Sequence, residues 1–215
     1  MPETVLTADG RVAGRRARAT RQRLLSRLTE MLATSPYRDI TVIDVARRAG
    51  TSPATFYQYF SDIEAAVLTI AAEMAEAGRR LRPLVEDQPW TGKSGYETAQ
   101  LLVDGFLEFW RDNEAVLRVV DLATIEGDER FHTLRVRMLN NVVTALAAVI
   151  GEMQERGRVA ESVHPEAMAG ALVGMMAHNA AHQRGYESWE IGVGNLRESM
   201  AQLVFWAVSG KRPPK

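Results

Sequence analysis

Apolar residues recur at intervals of three and four along almost the whole chain, and that spacing restricts it to helices. The pattern runs through Leu24, Leu25, Leu28 and Leu32, then Val42, Val45, Ala46 and Ala49, then Ala66, Val67, Ile70 and Met74. Further helices are expected near 95–111, 113–126, 129–156, 165–184 and 190–208. Pro83, Pro89, Gly92, Gly127, Gly157 and Pro165 fall between them as breakers. No alternating strand of convincing length, internal repeat or low-complexity segment interrupts the series. The expected fold class is all-α. The 129–156 segment would run ~42 Å at 1.5 Å per residue, so other helices must pack around its middle.

At 215 residues the chain suits one or two small domains, and 46% hydrophobic against 25% charged residues is the balance of an ordinary globular protein. Cysteine is absent, which excludes disulfides, thiolate metal sites and a cysteine nucleophile. The N-terminus lacks the apolar run of a signal peptide, and no stretch approaches ~20 apolar residues. A cytoplasmic protein with no membrane partner is the expectation. The net charge of −1 conceals an asymmetry, since residues 1–60 carry ten Arg against five acids. Arg11, Arg15, Arg16, Arg18, Arg21, Arg23 and Arg27 stand in a span without a single acid. Residues 1–18 read as a basic, disordered arm, either a solvated tail or an attractor of phosphates through residues such as Arg18.

Residues 41–60, TVIDVARRAG followed by TSPATFYQYF, read as a helix, a glycine-containing turn and a second short helix. Thr41 and Ser52 stand where helix N-caps stand, Pro53 suits a first helical turn, and Gly50 suits the sharp turn between. That is the layout of a helix-turn-helix, whose second helix enters the major groove of DNA. Val42, Val45, Ala46 and Ala49 form the inward face of the first helix, and Phe56 and Phe60 that of the second. Ala54, Thr55 and Gln58 then face outward, flanked by Tyr57 and Tyr59. A methyl reads thymine and an amide reads adenine, while tyrosine hydroxyls reach phosphates.

The run TVIDVARRAGTSPATFYQYFSDIEAAV resembles the DNA-binding domain of TetR-family transcriptional regulators. The shared pattern is a Thr-capped helix, an Ala-Gly turn and a recognition helix ending in Tyr-x-x-Phe, and it covers residues 19–80. The resemblance implies that Thr41, Pro53, Ala54, Thr55, Tyr57, Gln58 and Tyr59 face DNA. One position departs from the family, which usually has a phosphate-binding Lys where this chain has Ile63. The implied organisation is a basic arm (1–18), a three-helix DNA-binding domain (19–62) and a larger helical regulatory and dimerisation domain (63–215). The implied partners are a double-stranded operator, a second copy of the chain and a small effector.

Residues 167–181, AMAGALVGMMAHNAA, are dense in Ala, Gly and Met, and in the last helix Leu196, Met200, Leu203 and Val204 share a face. A dimer interface fits both patterns, and so does an intramolecular core. For an effector cavity the cluster Phe106, Phe109 and Trp110 leads, with Leu102 one turn earlier. Met138, Asn141 and Ala145 line up on the long helix, and Asn141 is a polar group on an apolar face. It would bond either an effector or a neighbouring residue. The lining as a whole suits an apolar or amphipathic molecule.

Enzyme readings find little footing. His178 and His182 are four apart, and Glu129-x-x-His132 and Glu161-x-x-His164 imitate helical di-iron pairs, but no HExxH surrounds them. No phosphate loop and no Gly-x-Ser-x-Gly elbow occurs. No metal, cofactor or catalytic residue is expected. The sequence reads as a ligand-responsive, homodimeric DNA-binding regulator, most simply a repressor. A helix-turn-helix protein that organises DNA without sensing, and a helical metalloenzyme, are the alternatives.

Overall fold

The computed structural model describes residues 14–212, and no strand occurs among them. The order is α1 (Arg15–Thr34), a 3₁₀ turn (Tyr37–Asp39), α2 (Val42–Arg48), α3 (Pro53–Tyr57) and α4 (Ile63–Ala77). A second 3₁₀ stretch (Gly78–Leu84) precedes α5 (Gly92–Ile125), α6 (Glu129–Glu155), α7 (Pro165–Ala181), α8 (Gln183–Glu187) and α9 (Val193–Ser209). The all-α expectation holds.

Three boundaries differ from the sequence reading. The segments expected at 95–111 and 113–126 are one helix, α5. Asp112 and Asn113 are poor helix formers but do not break a helix, and the Asn113 amide donates to the Phe109 carbonyl at 2.7 Å. The 165–184 helix stops at Ala181, and Glu190 adopts φ +57° before α9 begins. Of the arm expected over residues 1–18, residues 1–13 lie outside the described residues, and α1 already starts at Arg15, where the Arg18 amide bonds the Gly14 carbonyl at 3.0 Å. Arg15, Arg16 and Arg18 therefore stand on a helix. Arg11 lies outside the described residues.

The chain divides into two compact units. The first comprises the described residues through Met74 together with Glu114–Leu134. Its core holds Leu24, Leu25, Leu28 and Leu32 of α1, Val45 and Ala46 of α2, and Phe56 and Phe60 at α3. Ala66, Val67 and Ala71 of α4 and Val116, Leu117, Val119 and Val120 of α5 are buried in the same unit. Each such Leu, Val or Phe side chain removed from water contributes roughly 1.5–3 kcal/mol, and each alanine less. The 19–62 segment expected as the DNA-binding domain packs in this unit with residues beyond it. Helices α2 and α3, of seven and five residues, are too short to hold themselves, and residues distant in sequence pack in the same unit. Arg118 of α5 donates to the Leu32 carbonyl at 3.2 Å, and Arg38 pairs with Glu126.

The second unit comprises Ala75–Asn113 and Arg135 onward. Leu102, Phe106, Phe109 and Trp110 of α5 are buried in it, with Leu172, Val173 and Met176 of α7 and Met200, Val204 and Phe205 of α9. Phe109 lies so close to Gly78 that an added Cβ would stand 3.2 Å from its ring. A polar seam joins α5 to α9. Arg197 bonds the Asp104 carboxylate through two nitrogens, Tyr96 donates to Glu198, and Gln100 donates to Glu198 at 3.3 Å. Burial, and then the bond to Glu198, push the Tyr96 hydroxyl up to about 12. Glu198 is held below its ordinary value, chiefly by Tyr96 and next by Gln202.

By length and composition alone, α6 is apolar enough to cross a membrane, contrary to the sequence reading. Its buried residues, among them Met138, Val142, Ala145, Leu146 and Ile150, recur at three and four, while Arg137, Asn140 and Thr144 are exposed. That is the striped pattern of a helix lying against a core.

Candidate nucleic-acid interface

The start of α2 is locked by its own residues. The Thr41 hydroxyl accepts from the Asp44 amide at 3.2 Å and donates to the Asp44 carboxylate at 2.6 Å. Asp44 also pairs with Arg47 one turn on. At the other end the Gly50 amide bonds the Arg47 carbonyl at 3.1 Å and the Thr51 amide bonds the Ala46 carbonyl at 3.0 Å. This double closure requires a left-handed residue, and Gly50 supplies it at φ +65°. Then α3 begins with the Ser52 hydroxyl accepting from the Thr55 amide at 3.2 Å and with Pro53 in the first turn. Both caps and the turn match the sequence reading.

With five residues, α3 is far below the length at which a helix holds itself, about 12–15 residues. Its orientation therefore rests on Phe56 and Phe60, both buried, with ring centroids 5.4 Å apart. Opposite them Ala54, Tyr57 and Gln58 are exposed, while Pro53, Thr55 and Tyr59 are half-buried. The Thr55 hydroxyl lies 3.0 Å from the Ser52 hydroxyl, so part of its capacity is already spent within the cap. Thr41 and Arg18 are exposed. The outward surface thus offers a methyl, an amide and a phenol within five residues of chain.

Two residues stand differently from their sequence roles. Ile63, where the family usually carries Lys, is 8% exposed and belongs to the core, behind a cap in which Asp62 accepts from the Ala65 amide at 2.7 Å. Arg21, grouped by sequence with six other N-terminal arginines, holds its guanidinium 5.5 Å from the centre of the Phe60 ring and 3.6 Å from Glu73. Sequence spacing gave no signal of that contact, since Arg21, Phe60 and Glu73 lie on separate elements.

The effector candidates Leu102, Phe106, Phe109, Trp110, Met138 and Ala145 are all buried in the second unit. Asn141 is half-buried, so it does not carry the hydrogen-bonding demand of a fully enclosed amide. An open hollow of about 570 Å³ lies in the first unit, lined by Leu32, Tyr37, Arg118, Val119 and Leu122 among others. None of the seven candidates lines it. On α9, Leu196, Met200 and Val204 are buried, but Leu203 is 49% and Trp206 53% exposed. Leu203, which its spacing groups with Leu196, Met200 and Val204, is thus covered only in part within the single chain.

His178 and His182 stack with ring centroids 4.2 Å apart, and the His182 ring bonds the His178 carbonyl. His164 pairs with Glu166, and among the described residues no three metal-ligating side chains converge.

A short helix held by two phenylalanines and presenting small, amide and phenolic groups defines a helix-turn-helix protein. Residues 24–68 match the family model for bacterial regulatory proteins of the tetR family, and residues 81–215 match the tetracyclin repressor-like C-terminal domain. The chain belongs to the TetR family of transcriptional regulators, which are not enzymes. A curated relative, an uncharacterized HTH-type transcriptional regulator of Haemophilus influenzae, is 27% identical over 138 residues. That match spans 64% of this chain and 65% of the relative. Among solved structures, the fatty acid degradation regulator FadR of Bacillus halodurans superposes with a TM-score of 0.65 at 16% identity, over 91% of this chain and 97% of that one. FadR of Bacillus subtilis, solved with stearoyl-CoA, gives 0.63 at 15% identity over 89% and 99%.

Proposed function

We propose that this chain is a ligand-responsive, homodimeric regulator that binds a palindromic DNA operator and is released from it by an apolar or amphipathic small molecule. The observation that carries the DNA half is the surface of α3, where Ala54, Tyr57 and Gln58 face outward while Phe56 and Phe60 hold the helix down. In this reading Gln58 and Ala54 meet base edges, and Thr41, Pro53, Thr55, Tyr57, Tyr59 and Arg18 approach the backbone or the groove wall. Repression follows from occupying the site, and the protein works in the cytoplasm, where the DNA is.

Dimerisation is supported by Leu203 and Trp206, two large apolar side chains about half exposed on α9, and by the exposed Ala171 and Gly174 on α7. A second copy would cover them. The effector half rests on the apolar set Leu102, Phe106, Phe109, Trp110, Met138 and Ala145 with Asn141 beside it. Two proteins of the same fold, from Bacillus subtilis and Thermus thermophilus, are solved with stearoyl-CoA and lauroyl-CoA. A long apolar chain with a charged head is accordingly the first effector class to try. Release requires the effector to favour a form whose two recognition helices miss the half-sites, by ~2.7 kcal/mol for a hundredfold loss of affinity.

Selection of bound fragments from genomic DNA by the full-length protein tests the reading. The expected result is a palindrome with half-sites about one helical turn apart, and loss of binding on adding an acyl-CoA. Recovery of fragments with no common motif would point to a DNA-organising protein instead.

A further inference from the structure

Arg21 belongs to a basic cluster that the charge pattern assigns to phosphate contact, and the structure gives it other work. Its side chain is 19% exposed, although Arg15, Arg16, Arg18 and Arg23 on the same helix are exposed. The guanidinium faces the Phe60 ring at 5.5 Å, and its NH1 lies 3.6 Å from Glu73 Oε1 of α4. A cation over an aromatic face with a carboxylate in reach is attracted by both. It is also partly neutralised, and little of it is left for a phosphate.

We infer that Arg21 is a positioning residue for the recognition helix, holding Phe60 from α1 while Glu73 of α4 holds Arg21, rather than touching DNA. The consequence is local. The Phe60 amide bonds the Phe56 carbonyl at 3.0 Å and closes the turn after α3, and the Tyr59 ring lies 6.4 Å from that of Phe60. A helix of five residues has no internal means of fixing its end. Whatever holds Phe60 therefore sets where Gln58 and Tyr59 point. Glu73 acts in turn by holding Arg21 in place from α4.

This inference rests on the DNA-binding reading, and its test separates the two. Full-length wild type, Arg21→Gln, Arg21→Lys, Glu73→Gln and, as a phosphate-contact control, Arg18→Gln are titrated against the genomic fragment selected above and against a duplex of random sequence. Each titration is repeated at several salt concentrations. A wild type that binds neither DNA refutes DNA binding itself. Given wild-type binding, Arg21→Gln should weaken the selected fragment about fivefold to tenfold, the scale of one partly desolvated cation–π contact. Its salt slope should not change, and the random duplex should lose less affinity than the selected fragment. Arg21→Lys, which keeps the cation and its partner, should recover most of the loss. Glu73→Gln should also weaken the selected fragment, although it removes a negative charge. A phosphate contact would instead make the slope shallower by ~0.9 for Arg21→Gln, as for a phosphate-contacting Arg18, and would weaken both duplexes alike. That pattern, or binding by Glu73→Gln as tight as wild type or tighter, overturns the inference even where Arg21→Gln has lost helix content.

Discussion

Gly50 offers the cleanest perturbation of the turn on which the recognition helix depends. Its φ of +65° is left-handed, and no atom lies within 4 Å of where a Cβ would stand. Alanine there meets no neighbour, so the whole folded-state cost is the clash of Cβ with its own backbone, about 1–2 kcal/mol. The unfolded chain loses freedom at the same time, which returns roughly 0.4–1 kcal/mol. The expected net destabilisation of Gly50→Ala is about 1 kcal/mol, or a fall of ~2–4 °C in the melting of a 215-residue chain. Gly50→Asn should be close to neutral, because asparagine tolerates the left-handed region. Thermal unfolding by circular dichroism measures both, and operator titration follows the functional side. Gly210 is the internal control. It has nearly the same φ, +66°, but a Cβ there would run into the Arg158 carbonyl, so alanine should cost more than at Gly50. If Gly50→Ala melted with wild type and Gly50→Asn did no better than alanine, the argument that the double amide closure enforces a left-handed residue would be wrong.

At the DNA surface, Gln58→Ala should relax preference at one base pair per half-site and cost ~1–3 kcal/mol there, whereas Tyr57→Phe should weaken all sequences alike. An unchanged selected motif for Gln58→Ala would refute the orientation of α3. In the second unit, Ala145→Trp and Asn141→Leu should alter the response to an acyl-CoA while leaving dimerisation intact. Wild-type binding and release by both variants would move the effector site elsewhere. The Tyr96–Glu198 bond predicts a pH signature. Because the folded value of Glu198 lies below its ordinary 4.5, its contribution is present above that pH and fades as pH falls through the folded value. The stability gap between wild type and Tyr96→Phe should therefore be wider near pH 7 than in acid. On the alkaline side Tyr96 is raised, so its contribution holds below its ordinary 10 and is lost as pH climbs through about 12. Denaturant midpoints measured across pH check both limbs.

What the sequence by itself determined is everything that local chemistry controls. The caps at Thr41 and Ser52, the turn at Gly50 and the inward phenylalanines depend on residues within five or six positions of each other. Spacing, hydroxyls and the missing Cβ are sufficient to specify them. The all-helical class was legible for the same reason. Breaks written in Gly and Pro were legible too, whereas the Asp112–Asn113 step looked like a boundary and is not one, since neither residue forbids the helix. Tertiary structure alone decided the contacts between distant segments. Nothing in the charge pattern distinguishes Arg21 from Arg18, and only the packing of α1 beside Phe60 and Glu73 draws one inward while the other stays in solvent. The pairing of Asp104 with Arg197 spans 93 positions, and periodicity cannot select one partner across that range. Leu203 and Leu196 read alike by spacing, yet one is 49% exposed and the other 8%, because the neighbours that cover a helix face are set by the fold and not by the helix.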